Sequence, residues 1–406
     1  MYKFVLPLWL AAWPAYAQAG IEPPAPLTLP AALALADSAN ADLAAARHEL
    51  SAEDGVVQQA GLLPNPSLTV ERVDTRRDTR ETTVQLSQPL ELGGKRSARV
   101  QAAQRGREGA AAALVQRRAE VHSETTAAWF AVLAAQEQLR LAQKASELAQ
   151  RAAAATGRRV VAGKVSPVEE TRAQVAASTV KLDLIRAQSA LVTARARLAS
   201  MWGNPAPVFE KVAGEIEALP ELAPLPAQRA LLAQAPAMQV ARSEVERRQA
   251  LAKVELSRRV PDVSVNIGSK RSEELGRTQA VFGISVPLPL FDRNQGAVLE
   301  TARRADKARD ELTATAARLE AELAQAREEY AASRAQALAL RSEILPGAQS
   351  AYDAAITGFD YGKFGFLDVL DAQRTLLQAQ SHYLTTLADA HRAQAAIARI
   401  LGADHE

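Results

Sequence analysis

Two stretches of this chain, Ala162–Gln174 (AGKVSPVEETRAQ) and Tyr361–Gln373 (YGKFGFLDVLDAQ), align so that Gly163 meets Gly362 and Gln174 meets Gln373, each pair 199 residues apart. The offset is not local to them. Pro30 and Pro226 stand 196 apart, Pro64 and Pro261 197, Ser87 and Ser285 198, and Gly203 and Gly402 199. An offset that drifts by three residues over most of the chain marks a tandem repeat. The fold must be built from two similar halves.

Each half presents the same order of patterns. Thr28-Leu29-Pro30 opens a helix with a cap and an early proline, and helical sequence continues, broken near Asn40, to Leu62–Pro66. The period then changes from 3.6 to 2. Leu68 and Val70 alternate with Ser67, Thr69 and Glu71; Val84, Leu86 and Leu90 alternate with Thr83, Gln85 and Ser87. With the charged run Asp74–Glu81 between them, these predict a hairpin with one apolar and one polar face. In the second half Val263, Val265 and Ile267 pair with the run Ala280, Phe282, Ile284, Val286, Leu288 and Leu290, across the charged loop 269–278. The strand pairs are therefore predicted at 66–73 with 82–90, and at 262–268 with 278–290.

From Lys95 to Ala162 there is no proline, and a helix of that extent is roughly 100 Å long. A helix so long must bury a face along its neighbours, as in a coiled coil or bundle. Ser166-Pro167-Val168-Glu169 predicts a capping box for the helix after the first turn. Pro346 predicts a kink, not an end, in the matching helix of the second half. The organisation is thus a first repeat over 20–203 with a helical tip near 163, a proline-rich linker over 204–225, a second repeat over 226–402 with a tip near 362, and a tail over 403–406.

Residues 1–19 read as a signal peptide: Lys3 gives a positive start, Phe4–Trp13 an apolar core, and Ala15-Tyr16-Ala17 or Ala17-Gln18-Ala19 a cleavage site. The apolar run is too short to span a bilayer. The chain has no cysteine, so disulfides and a cysteine-borne lipid anchor are both excluded. Its 48 basic and 46 acidic residues nearly cancel, which argues against a nucleic-acid-binding surface. Sparse aromatics beside abundant Ala, Leu, Arg, Glu and Gln describe a helical scaffold rather than an enzyme core. No phosphate-cradling loop, nucleophile–base pair or spaced ligand cluster occurs; His48, His122, His382, His391 and His405 are scattered. No cofactor or metal site is expected.

Strands of this length suit a tilted membrane crossing, yet four strands cannot close a barrel and a bilayer tolerates no open edge. Several chains would have to combine: three copies give twelve strands, two or four give eight or sixteen. The alternative is a pair of soluble hairpins on a helical bundle.

Taken together, the signal peptide, two strand–loop–strand units each leading through an S-x-P-L motif into a long helix, the turns GKVSPVEETRAQ and GKFGFLDVLDAQ, and the terminal Ile-Leu-Gly resemble the TolC-type outer-membrane efflux channel family over essentially the whole mature chain. KVSPVEETRAQ and Pro289-Leu290-Phe291-Asp292-Arg293 look most like the channels of cobalt–zinc–cadmium efflux systems. The resemblance implies a mainly α fold with a small β part: a homotrimer whose twelve-stranded β-barrel in the Gram-negative outer membrane continues as a periplasmic α-barrel of long helical hairpins. It implies a periplasmic adaptor and an inner-membrane RND pump as partners, outer-membrane lipid around the barrel, and no nucleic acid. The function implied is a passive export conduit, for heavy-metal cations or for drugs and other small molecules. A periplasmic helical adaptor or scaffold stays open as a different class, although an adaptor normally carries one helical hairpin with attached β-domains.

The resemblance also implies roles at the tips. Asp368 and Asp371 would form acidic rings at the narrow entrance and attract cations, although acids near a helix N-terminus also complement its dipole. Glu169 matches Asp368 and serves equally well as a cap, while Arg172 takes the slot matching Asp371. Gly163, Lys164, Val165, Gly362 and Lys363 would dock the adaptor, the two glycines also supplying left-handed turn geometry. Phe359 and Phe364 occupy the positions of a tyrosine and an arginine that tie the entrance shut elsewhere in the family, so closure here would need aromatic packing or a reach of Lys363 to an acid.

Overall fold

A computed structural model describes Glu22, residues 26–74 and residues 76–402. Residues 1–19, read as a signal peptide, and the tail at 403–406 lie outside the described residues. The element order is α1 (Leu29–Ala39), α2 (Ala41–Ala60), β1 (Ser67–Val73), β2 (Glu81–Leu90), α3 (Lys95–Val161), α4 (Pro167–Ser200), α5 (Leu225–Leu232), α6 (Pro236–Ser257), β3 (Val263–Ser272), β4 (Arg277–Ser285), α7 (Gln295–Ala339), a π-helical turn (Leu340–Ile344), α8 (Leu345–Asp360) and α9 (Phe366–Leu401). Helix, helix, two strands and two long helical arms occur twice in that order, as the repeat predicts. The chain forms two compact units. Of the described residues, one holds those up to Ala44, Glu120–Leu222 and Ala324–Arg399; the other holds Ala45–Ala119, Ala223–Leu323 and residues 400–402.

The first unit has an apolar core of Trp129, Val132, Leu133, Leu198, Trp202, Leu384 and Leu387. The break between α1 and α2 is made by Asn40, which leaves helical geometry at ψ 127°. Its side chain accepts from the Leu43 amide at 3.0 Å and donates to the Met201 carbonyl at 2.8 Å. The segment predicted as a linker is not a free tether. Phe209, Val212 and Ile216 sit in the core, and Leu27 bridges Val212 in parallel. Gln136 holds the Val212 backbone from both sides, at 2.8 and 3.1 Å. A Cβ on Gly214 would come within 2.1 Å of the Trp129 ring, so the backbone is pressed against that indole. The prolines there fix a path across the core rather than a hinge.

Glu22 anchors the same segment. Its carboxylate accepts from the Trp202 indole at 2.9 Å, the Asn204 amide at 2.6 Å, and the Val208 and Phe209 backbones at 2.5 and 3.0 Å. Burial pushes its pKa up, but the four hydrogen bonds outweigh burial and hold it below the usual carboxylate value. His391 is buried nearby, stacked on Phe130 with ring centroids 3.5 Å apart and bonded through Nε2 to the Ile216 carbonyl at 2.8 Å. Desolvation lowers its pKa, so it is neutral near pH 7.

The second unit holds a four-stranded antiparallel meander in the order β1-β2-β3-β4. Its registers place Leu68 opposite Leu86, Leu86 opposite Ile267, and Ile267 opposite Phe282. All four are exposed, Phe282 at 76%. The strand bounds differ from expectation in the second half. β3 runs four residues further, to Ser272, which leaves a turn of four residues in place of the predicted loop. β4 stops at Ser285 rather than 290, although the alternation continues. Pro287 and Pro289 have no N–H to give a ladder, whereas β2 accommodates its one proline, Pro89 opposite Ser264. Asp262 fastens the strand bases, accepting from Lys95 at 2.7 Å and the Leu92 amide at 3.1 Å.

Pro346 does not end its helix. The π-helical turn Leu340–Ile344 lies just ahead of it, where the ring removes one hydrogen bond from the ladder, and α8 continues beyond. Among the described residues, no helix is long and apolar enough to cross a membrane.

Candidate channel entrance at the helix tips

Both predicted tips belong to the first unit, and their backbones match bond for bond. Gly163 takes φ +69° and Gly362 φ +72°. Gly163 N–H donates to the Val160 carbonyl at 2.8 Å and Lys164 N–H to Arg159 at 2.9 Å; Gly362 donates to Phe359 at 3.0 Å and Lys363 to Gly358 at 2.8 Å. Each pair of donors is 199 residues apart, and so is each pair of acceptors. A glycine in the left-handed region followed by a six-to-one bond is a Schellman close, and only glycine adopts it without strain.

The helices that leave the tips are capped differently. At the first, Ser166 Oγ accepts from Val168 N–H at 3.3 Å. The reciprocal half of the expected capping box is replaced: Glu169 turns to Arg172 at 3.1 Å. At the second tip the matching cap position is Gly365, which has no side chain. There Asp368 supplies the other half, its Oδ2 accepting from Gly365 N–H at 2.8 Å. Each repeat thus uses one half of the box. Asp368 and Asp371 are both exposed and share a helix face, three residues apart. Only Asp371 also lines a cleft of about 920 Å³ between α3, α4 and α9, beside Arg374, Leu370, Thr179 and Asp183.

The two phenylalanines have distinct partners. Phe359 is half-buried against the cluster of Tyr352, Ala355 and Val369. The Arg159 guanidinium lies over its ring, 4.2 Å from the centroid, and donates to its carbonyl at 3.3 Å. Phe364 is about half exposed, and its ring covers Gly358 so closely that a Cβ there would meet it at 2.1 Å. Sequence reasoning missed Arg159 and Gly358. The signals were present, a basic residue in the last turn of α3 and a glycine one turn before a tip, but neither names its partner. Lys164 and Lys363 are exposed, and Val165 is partly covered. Val161 and Tyr361 beside them are 91% and 80% exposed, an apolar rim on each tip. Among the described residues, no group of three or more His, Asp or Glu side chains is placed to hold a metal ion.

A tandem repeat of strand pairs and long helical hairpins, with matched glycine tips and an exposed apolar sheet face, defines a class of outer-membrane channel folds. The chain belongs to the outer membrane efflux protein family, whose model matches residues 32–204 and 228–403, one match for each repeat. It is 45% identical over 377 residues, 93% of this chain and 90% of the relative, to the cobalt-zinc-cadmium resistance protein CzcC of Cupriavidus metallidurans. It is 29% identical to the nickel and cobalt resistance protein CnrC of the same organism, over 76% of this chain and 73% of that one. Among solved structures, the CusC channel shares the fold at a TM-score of 0.79 and 17% identity, covering 99% of both chains. The CmeC outer membrane channel of Campylobacter jejuni does so at 0.78 and 17%, covering 92% of this chain and 85% of that one.

Proposed function

We propose that this outer-membrane efflux protein is the exit channel of a tripartite heavy-metal export system. Three copies form the conduit: twelve strands close a barrel in the outer membrane, and the long helices form an α-barrel into the periplasm. A single sheet of four strands leaves β1 and β4 as open edges, which a membrane does not tolerate, so closure through further copies is what the sheet chemistry requires. The observation that carries the channel reading is the pair of matched tips, with Asp368 and Asp371 exposed three residues apart on the second. Three copies place six carboxylates, from Asp368 and Asp371, around the entrance and favour cations there. Phe359 and Phe364 hold the entrance. The exposed Lys164 and Lys363, with the partly covered Val165, about Gly163 and Gly362 dock a periplasmic adaptor that links the channel to an inner-membrane pump. The metal cargo rests on the 45% identical relative named for cobalt, zinc and cadmium resistance. With no clustered ligands among the described residues, selection of the ion falls to the pump.

The test is a deletion strain. Loss of zinc, cobalt and cadmium tolerance, restored by the intact gene, supports the assignment; sensitivity to drugs alone overturns the metal cargo. A soluble periplasmic monomer, in place of heat-resistant trimers in outer-membrane fractions, would exclude the channel.

A further inference from the structure

The strand registers sort every sheet residue into rows that cross all four strands. On the apolar face one row is Leu68, Leu86, Ile267 and Phe282, and the next toward the turns is Val70, Val84, Ser269 and Ala280. The row after that is Arg72, Thr82, Arg271 and Thr278. It lies one residue from where β1 and β3 end, at the end of the sheet away from the helices that feed it. The apolar face therefore finishes in alternating guanidinium and hydroxyl groups. The two arginines are two strands apart, about 10 Å at the usual strand spacing.

The opposite face treats charge differently. There Lys270 is met within the sheet by Glu81 at 2.7 Å. On the apolar face no acid stands in the arginine row. Arg271 does meet Glu273, at 3.0 Å, in the turn beyond. That carboxylate also feels Arg80 and Arg77, and Arg271 together with them keeps it ionised, below the usual carboxylate range. Over residues 72–81 and 270–278, which make this end of the sheet, seven Lys and Arg stand against five Asp and Glu, so the rim is cationic by two charges. Guanidinium groups bind phosphate oxygens in a two-pronged way that ammonium groups cannot.

We propose that Arg72 and Arg271, with the hydroxyls of Thr82 and Thr278, form a binding line for the phosphate of an outer-leaflet lipid whose acyl chains lie on the apolar rows below. The row sits where a barrel wall passes from hydrocarbon to headgroups, the level at which lipid-facing cations are tolerated and meet anionic heads. The assignment rests on the reading that this face meets lipid.

The test uses the purified full-length protein in neutral detergent, with bisphosphorylated lipid A, its monophosphoryl form and its dephosphorylated form as probes. Binding should weaken in that order. R72Q/R271Q should weaken binding of bisphosphorylated lipid A roughly tenfold and leave the dephosphorylated form unchanged; R72K/R271K should lie between. Equal binding of all three forms, or wild-type affinity in the glutamine pair, overturns the proposal. Competition by inorganic phosphate as effective as that by the lipid would assign the row to a free anion instead. If the double variant does not form heat-resistant oligomers, R72Q alone carries the measurement, with a threefold or greater loss expected and no loss overturning the proposal. Zinc tolerance of cells reads the channel separately: its loss in the deletion strain alongside unchanged lipid binding would reject this line without touching the proposed function.

Discussion

Arg159, near the end of α3, stacks over Phe359, near the end of α8, 4.2 Å from the ring centroid, and hydrogen-bonds the same residue's carbonyl at 3.3 Å. The contact joins the first tip to the second within one chain. A partly desolvated cation–π pair contributes about 1–2 kcal/mol, enough to shift a two-state equilibrium five- to thirtyfold.

If this pair holds the entrance closed, R159A and F359A should each raise the open probability of single channels in planar bilayers by roughly five- to tenfold. F359W, which keeps the π face, should behave like the parent. Unchanged gating in both alanine variants would remove Arg159 from the gate.

Asp368 and Asp371 should separate by substitution. D371N removes charge from the cleft without touching a cap and should lower cation-over-anion permeability. D368N also loses charge but keeps an oxygen for Gly365 N–H, whereas D368A loses the cap as well, at about 1 kcal/mol. Reversal potentials in asymmetric salt measure the first effect, and protease sensitivity of the tip measures the second. If D368A/D371A leaves conductance and selectivity unchanged, neither residue lines the entrance.

Gly358→Ala should displace Phe364, because the new methyl would overlap its ring. Overpacking of this kind costs about 1–3 kcal/mol. The expected result is a raised open probability of single channels in planar bilayers with normal trimer yield. Gly347→Ala, where nothing lies near the added carbon, is the neutral control.

Glu22→Gln should lower the apparent melting temperature by roughly 5–10 °C, as expected for about 2–4 kcal/mol lost from a buried charge-assisted network. The pH dependence follows the sign of the shift. The folded-state pKa lies below the ordinary value of 4.5, so the stabilisation is complete above that value and is lost as pH falls through the folded one. Thermal melts from pH 7 to 3 should show the parent converging on the glutamine variant below pH 4.5; parallel curves would contradict the clamp.

Much of the fold was legible in the chain because it follows from local rules repeated twice. Gly163 and Gly362 need left-handed backbone, the Leu68 and Phe282 runs alternate with period 2, and an uninterrupted 95–161 must be helical. What was misread depended on a choice between local devices. Ser166 and Glu169 spell a capping box, but Arg172 three residues on competes for the carboxylate and takes it. The β4 alternation runs to Leu290, yet two prolines end the ladder at Ser285.

The segment 204–225 marks the limit most plainly. Its prolines predict a linker by composition, and composition says nothing about what the chain meets in space. Only folding brings Glu22 to Trp202 and Asn204, Gln136 to Val212, and Trp129 against Gly214, over sequence separations of 76 residues or more. The sequence by itself determined the duplicated architecture, the tips and the amphipathic sheet, because backbone conformation and hydrophobic periodicity are local properties. The tertiary structure alone decided which of two acids caps and which also faces the cleft, and which cation lies on Phe359. The cap is a local choice, made between Asp368 and the Gly365 backbone three residues away, whereas the cleft and the Arg159–Phe359 contact join side chains far apart in the sequence, which no period or motif encodes.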